Sequence, residues 1–358
     1  MKIVEQIHLK INSSQNNNYT NDNYDENRFG PYKNSFIKNT LASIKTGIKK
    51  ILFYYSKKIL LNYYEDRLQK LYYVLNENDR VILIDIITFR LVGYKKFKLR
   101  NNNKSYWETI EKTKNTIDYK SKLNNFLNFN KVNLSLFNYD INFFYKGIGF
   151  VNIFCFEQYT KKDNNKLLVS VEKGDTVLDI GAMVGDTSLY FANKTTSSGK
   201  VYSFEFTPSN IEIFKLNAKL NPNLCDVMEI IERPVSDISD VKIYFTDKGE
   251  GSEIKFKPFD NFEHTNLTIS IDDFVKERNI SKVDFIKMDI EGAEPLALNG
   301  ALETIKKFKP KLAIAIYHSW DDFVNIPLWI HDLNLGYNIY LDHYTIHTDE
   351  TIIFASVN

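Results

Sequence analysis

From Thr176 onward, short apolar runs alternate with longer stretches in which apolar residues recur three or four positions apart. The short runs have no helical period and read as buried parallel strands, whereas the longer stretches read as helices with one apolar face. This alternation predicts strands over 176–180, 200–205, 227–231, 284–289, 311–317, 336–342 and 351–357. It predicts helices over 186–194, 208–220, 294–307 and 321–333, with an inserted hairpin at 241–246 and 267–270. Strands and helices in strict alternation imply an α/β fold: a seven-stranded, mostly parallel sheet with helices on both faces.

The first part of the chain has a different rhythm. Residues 11–38 are polar and aperiodic, which predicts a flexible segment over about the first 40 positions. Between Leu41 and Leu75 the aliphatics Ile44, Ile48, Ile51, Leu52, Ile59 and Leu60 keep helical spacing, with Lys45, Lys49, Lys50, Lys57 and Lys58 between them. A basic amphipathic helix of this kind packs on its own protein more often than it lies on an anionic membrane, so peripheral membrane contact through residues 44–60 is the lesser expectation. The run from Arg80 to Val92 contains Asp85 and Arg90, is too short to span a bilayer, and reads as a buried accessory helix. Residues 107–118 read as helical, and 143–145 and 151–156 as β-rich pieces of a lead-in strand or hairpin. The division expected is a flexible segment at 1–40, a mainly helical accessory region at 41–140 and the chemistry-bearing domain at 141–358.

Composition narrows the partners. A net charge of +1 over 358 residues gives no field to attract nucleic acid, so no nucleic-acid partner is expected. Cys155 and Cys225 sit apart in unlike contexts and form neither a disulfide framework nor a metal motif, which fits a reducing cytoplasmic setting. The start Met1-Lys-Ile-Val-Glu5 lacks the apolar core of a signal peptide. Asn, Lys, Ile, Tyr and Phe are abundant throughout, so aromatic and Asn-rich stretches carry little functional signal.

Chemistry concentrates at the carboxyl ends of the strands, where open α/β sheets bind ligands. The strand 176–180 runs into a turn with Gly181 and Gly185, the layout of a nucleotide-binding βα unit. Asp179 just before the turn would repel a pyrophosphate but suits amines and hydroxyls, which favours S-adenosylmethionine over a nicotinamide dinucleotide. Met183, where a dinucleotide fingerprint has glycine, points the same way. Glu205 ends the second strand and is placed to accept from ribose hydroxyls, while Ser236 and Asp237 are candidates for an adenine edge. The fourth strand delivers Asp289, Glu291 and Glu294 together, with Lys287 on the face of Asp289. So many charges at one strand end repel one another, a cost that points to function. Tyr317 and His318 end the fifth strand, where a histidine can serve as general base toward a substrate hydroxyl, and His343 ends the sixth. Asp289, Glu291, Glu294, His318 and His343 also form an oxygen and nitrogen set suited to a divalent metal, but no local ligand spacing supports one, and a metal-free site is preferred.

Taken together, these stretches resemble the FkbM family of S-adenosylmethionine-dependent methyltransferases. The matching pieces are VLDIGAMVGDTS at 177–188, YSFEFTPSN at 202–210, DFIKMDIEGAEPLALNGA at 284–301, KPKLAIAIYH at 309–318 and LDHYTIHTDETIIFA at 341–355. Met183 departs from the family pattern, in which that turn position is small or polar. The resemblance implies a Rossmann-like class I methyltransferase fold and O-methylation of a hydroxyl, often on a sugar of a surface polysaccharide or related glycoconjugate. In those terms Asp179, Gly181, Gly185, Glu205, Ser236 and Asp237 are expected at the cofactor, Asp289, Glu291 and His318 at the reacting atoms, and Glu294, Tyr317 and His343 at a small-molecule or glycan acceptor. A binding or scaffold protein that keeps the fold without catalysis, docked to a membrane or partner through its basic N-terminal helix, is the alternative.

Overall fold

The computed structural model describes residues 2–14, 23–24, 59–123, 126–164, 166–247 and 252–357. Most of the basic amphipathic stretch lies outside these residues, including nearly all of the 44–60 segment considered for membrane contact. Among the described residues, no helix is long and apolar enough to cross a membrane. The expectation of a flexible start is corrected at Ile3–Ser14, which is helical. Ile3 and Ile7, one turn apart, are fully buried, and this helix packs on the accessory helix Glu77–Val92, so the stripe has a partner that the sequence alone does not show.

The Glu77–Val92 helix starts at Asn76, whose side chain accepts from the Asp79 N–H at 3.0 Å, a standard N-cap. It is buried along most of its length, as its apolar run predicts. A helix over 59–74 precedes it and Lys104–Lys114 follows. The helical reading of the region up to residue 140 is corrected beyond that point: Ile117–Leu123 (β1), Phe126–Asn133 (β2) and Asn142–Lys146 (β3) form an antiparallel sheet. Ile117 faces Val132 across the β1–β2 ladder, and both are buried. The β-rich reading of 151–156 is also corrected, because Phe150–Phe154 is a short helix buried on all sides. Buried helix and buried strand share a continuous apolar run, and only the surroundings separate them.

The short strands Lys161–Asp163 (β4) and Lys166–Val169 (β5) lead into the main sheet. Its strands are Thr176–Ile180 (β6), Lys200–Phe204 (β7), Met228–Ile231 (β8), Phe285–Met288 (β12), Lys311–Ala315 (β13), Asn338–His343 (β14) and Thr351–Ser356 (β15). An inserted antiparallel sheet of Lys242–Phe245 (β9), Ile254–Lys255 (β10) and His264–Leu267 (β11) separates β8 from β12. The main order is β14-β15-β13-β12-β6-β7-β8; β15 alone runs antiparallel to its neighbours, while β12 pairs in parallel with both β6 and β13. The seven strands fall where the sequence pattern predicts them.

The chain winds outward from β6 through β7 to β8, then returns to place β12 on the other side of β6. That reversal is the switch point at which open α/β sheets bind ligands. One face of the sheet is covered by Asp186–Thr195 and Pro208–Leu220, and the other by helices between Ile271 and Asp332 together with the accessory helices. The predicted 294–307 helix is two helices, Glu294–Asn299 and Leu302–Phe308. They break at Gly300, where an added Cβ would stand 2.2 Å from the carbonyl oxygen of Ser236.

Candidate active site

The turn after β6 is shaped by contact with its own chain. Gly181 has φ +87°, and a Cβ there would sit 1.9 Å from the Asp289 carbonyl oxygen. Gly185 has φ +85°, and a Cβ would meet the Phe214 ring at 2.4 Å. Both positions need glycine for conformation and for space. Met183 between them also adopts a left-handed φ of +45°, so the turn keeps its shape at the position where the sequence departs from glycine.

Asp179 lies beneath this turn and is fully buried. Its Oδ2 accepts from Thr187 Oγ1 at 2.7 Å and Ser188 Oγ at 2.6 Å, and its Oδ1 is 3.2 Å from Lys287 Nζ. Lys287, buried in turn, donates to the Gly181 carbonyl at 2.6 Å. Burial opposes the lysine charge, but Asp179, Asp289 and Asp186 together raise its pKa above the ordinary value. Asp179 is therefore a brace under the turn, a correction to the direct ligand contact expected from the sequence: every partner of its carboxylate belongs to the protein interior.

Glu205 sits just past β7, as expected. Its Oε1 accepts from the N–H groups of Phe206 and Thr207 at 2.7 Å each, and its Oε2 accepts from Asn210 Nδ2 at 3.1 Å. The carboxylate thus ties down the start of the Pro208–Leu220 helix and keeps spare acceptor capacity on Oε2; burial raises its pKa above the usual range. Beyond β8, Ser236 Oγ donates to Asp237 Oδ1 at 3.0 Å, and the Ser236 N–H donates to Ile269 O at 3.0 Å. This loop lies on the same rim of the sheet as Glu205.

The densest chemistry is at the carboxyl ends of β12 and β13. Asp289 accepts from Tyr159 Oη at 3.0 Å and from Tyr317 Oη at 3.1 Å, and its Oδ1 is 3.4 Å from His318 Nε2. Burial works against its charge, but His318, Lys287 and Tyr159 hold its carboxyl below the usual range. Glu291 adopts a left-handed φ of +56° and is largely exposed, with Oε2 3.5 Å from His318 Nε2.

Glu294, expected at the acceptor, is instead fully buried. Its Oε1 accepts from the Ile290 N–H at 2.7 Å and its Oε2 from the Gly292 N–H at 2.9 Å, while Oε1 faces His318 Nδ1 at 3.2 Å. It holds the left-handed turn at 291–292 and the imidazole, a structural task that removes it from ligand contact. His318 departs from the general-base reading too. Both ring nitrogens face carboxylates, so neither turns a lone pair toward an acceptor, and although burial disfavours its charge, Asp289 and Glu294 raise its pKa to about 10.

His343 is separated from this group. It ends β14, with β15 between it and β13, and its Nδ1 meets Thr351 Oγ1 at 2.9 Å. Burial drives its pKa down to about 4, leaving a neutral interior histidine under the accessory region. The acceptor role expected for it is corrected on this geometry.

Two participants carry no motif in the sequence. Tyr159 reaches Asp289 from 130 positions away and is one of 22 tyrosines in an aromatic-rich chain. Arg90, on the accessory helix, donates to the Tyr317 carbonyl at 3.1 Å and lies over the Phe323 ring at 4.5 Å. Its charge beside apolar neighbours is the one local hint of such a task.

A switch-point cleft with a glycine turn on one side and an acid-rich strand end on the other, on a seven-stranded sheet with a reversed final hairpin, defines the class I methyltransferase fold. Residues 179–339 match the family described as the methyltransferase FkbM domain. Among solved structures, the chain is similar to the methyltransferase FkbM from Methylobacillus flagellatus KT, with a TM-score of 0.52 and 18% identity. The match covers 83% of this chain and 60% of that one, and it supports the fold. Fibrillarin from Aeropyrum pernix, solved with S-adenosyl-L-methionine, matches with a TM-score of 0.33 and 15% identity over 52% of this chain and 67% of that one. A SAM-dependent O-methyltransferase from Thermotoga maritima matches with a TM-score of 0.33 and 16% identity over 53% and 62%. At these scores the last two add nothing to the fold assignment. No curated protein matches the chain.

Proposed function

We propose that the chain is an S-adenosylmethionine-dependent O-methyltransferase whose acceptor is a hydroxyl, of a sugar in a surface polysaccharide or related glycoconjugate. The observation that carries this reading is the meeting of Asp289, Tyr159, Tyr317 and His318 at the switch point, against the Gly181 turn. Their donor chemistry fits the pair of ligands. Glu205 has acceptor capacity for a ribose hydroxyl at one side of the cleft, and no lysine or arginine cradle of the kind a pyrophosphate needs faces the 181–185 turn among the described contacts, since Lys287 is occupied beneath it.

S-adenosylmethionine supplies a methyl on a sulfonium, whose departure to oxygen leaves a neutral thioether. The chain aligns the acceptor. Ionised Asp289, held in place by two tyrosine hydroxyls, orients the acceptor O–H, and exposed Glu291 takes its proton and passes it to water. His318 balances the negative charge of the pair. Carboxylates and phenols suit a polyhydroxylated acceptor better than an apolar one, and much of the acceleration from such a site comes from alignment.

Incubation of the protein with methyl-labelled S-adenosylmethionine and cell-surface glycan extracts tests the reading. Label is expected on a carbohydrate methyl ether. Label confined to protein or nucleic acid would overturn the acceptor class, and calorimetry showing no S-adenosylmethionine binding would overturn the activity.

A further inference from the structure

A second cleft opens on the rim that carries Glu205, between the start of the Pro208–Leu220 helix and the inserted strands β9 and β11. Its volume is about 460 Å³, inside the roughly 300–1,000 Å³ range of small-molecule sites. Fully buried Phe245 lies at its base, with the Phe206 ring edge-on to it at 4.9 Å and the His264 ring tilted against it at 5.5 Å. His264 pairs with Phe245 across the β9–β11 ladder, so both side chains leave the same face of the inserted sheet. The Ser209 N–H donates to Asp247 Oδ2 at 3.0 Å and fastens that sheet to the helix. Phe206 directly follows Glu205, and its N–H donates to the Glu205 carboxylate at 2.7 Å. The second cleft and the switch-point cleft therefore share a wall.

The groups around these rings select the ligand. Lys215 Nζ donates to Glu232 Oε1 at 2.6 Å, so the one lysine of the lining is already paired, and no arginine accompanies it. A phosphate-bearing ligand needs such cations uncommitted. The exposed Glu212 carboxylate and the His264 ring nitrogens have no hydrogen-bond or ion-pair partner among the described residues, and Glu232 keeps Oε2 as an acceptor. An apolar ligand would cover these groups without bonding them. A neutral sugar ring meets both demands: the C–H groups of its face lie on aromatic rings, and the hydroxyls of its edge donate to carboxylates.

We propose that this second cleft seats a neutral sugar ring on Phe206 and His264, with its hydroxyls bonded to Glu212 and Glu232. The task of that ring rests on the proposed methyl transfer: it belongs to the acceptor chain but is not the unit that is methylated. In the sheet, β8 stands three strands from β12, so at about 4.8 Å per strand the cleft lies on the order of 14 Å from Asp289. That span fits a short oligosaccharide and exceeds a single ring. An acceptor held at both ends is aligned at the reacting end by binding at the remote one.

Saturation-transfer difference NMR on the full chain tests the cleft with glucose, galactose, N-acetylglucosamine and rhamnose as probes. Transfer to the ring C–H protons of at least one probe is expected, with affinity reduced about 3- to 10-fold in Phe206→Ala and in Glu212→Ala. Glu212→Ala changes an exposed side chain and keeps the test valid should Phe206→Ala fail to fold; Glu303→Gln, on a distant exposed acid, should bind as the wild type does. Absence of transfer to every probe at about 10 mM, or equal binding by wild type and Glu212→Ala, overturns the site. Displacement of the bound sugar by adenosine also overturns it, because the cleft would then belong to the nucleoside. A parallel titration with S-adenosylmethionine separates the two readings. If it binds where no sugar does, the sugar cleft alone falls; if a sugar binds in the cleft and it does not, the cleft stands and the methyl-transfer reading falls.

Discussion

The guanidinium of Arg90 reaches out of the accessory helix and donates to the backbone carbonyl of Tyr317 at 3.1 Å, one residue before His318. The same group lies over the rings of Trp320 and Phe323, and burial lowers its pKa to about 10, partly offset by Asp322. The accessory region therefore sets the end of β13, and with it the position of two residues of the site.

Arg90→Met is expected to lower kcat about 10- to 100-fold, the scale of a displacement near 1 Å at a reacting centre, while S-adenosylmethionine affinity stays within about threefold. Arg90→Lys should recover part of the loss. A variant that loses only thermal stability, with kcat intact, would show that Arg90 braces the fold and not the site.

Asp289→Asn keeps the shape of the side chain and removes its charge. Methyl transfer should fall about 100- to 1000-fold, as when one electrostatic partner of a reacting group is removed, with the circular dichroism spectrum preserved. Single-turnover assays with labelled cofactor measure it directly.

Gly181→Ala places a Cβ 1.9 Å from the Asp289 carbonyl oxygen at a φ of +87°. Backbone strain and overpacking add to a destabilisation of roughly 2–5 kcal/mol, read in urea unfolding. Because β6 and β12 meet at this point, cofactor binding should weaken together with stability.

Asp186 gives a pH signature. Burial pushes its carboxyl up to about 7, opposed by Lys287 and reinforced by Asp179. The folded state then holds this proton more tightly than the unfolded chain, so the group lowers stability once pH exceeds the ordinary carboxylate value near 4, and the penalty is complete above about pH 7. Asp186→Asn should melt like the wild type near pH 4 and gain on the order of 2–4 kcal/mol by pH 8. Equal melting temperatures of the two proteins at pH 8 would contradict the assignment.

The order of strands and helices from β6 to β15 was legible because it rests on local causes. Short apolar runs alternate there with amphipathic stretches long enough to cover them, a pattern that a sheet with helices on its faces satisfies, and a left-handed turn in contact with a neighbouring strand needs glycine at Gly181. The concentration of acids at 289–294 was legible for the same reason, since charge density is a local property. The burial of Phe150–Phe154 as a helix and the strands at 117–133 were not, because continuous apolar or mixed runs take their form from what they pack against.

The sequence by itself determined which residues stand at the carboxyl ends of the strands. Only the tertiary structure decided which of those residues work inward and which face the cleft. Asp179 and Glu294 read as ligand carboxylates in sequence, yet each is fully buried and faces groups of its own chain, whereas Glu291, two residues after Asp289, is exposed. The difference lies in contacts between residues far apart: Lys287 is 108 positions from Asp179 by number, and Tyr159 is 130 from Asp289. A carboxylate becomes a brace or a working group according to the donors that folding brings to it, and those donors come from elements that no local pattern joins.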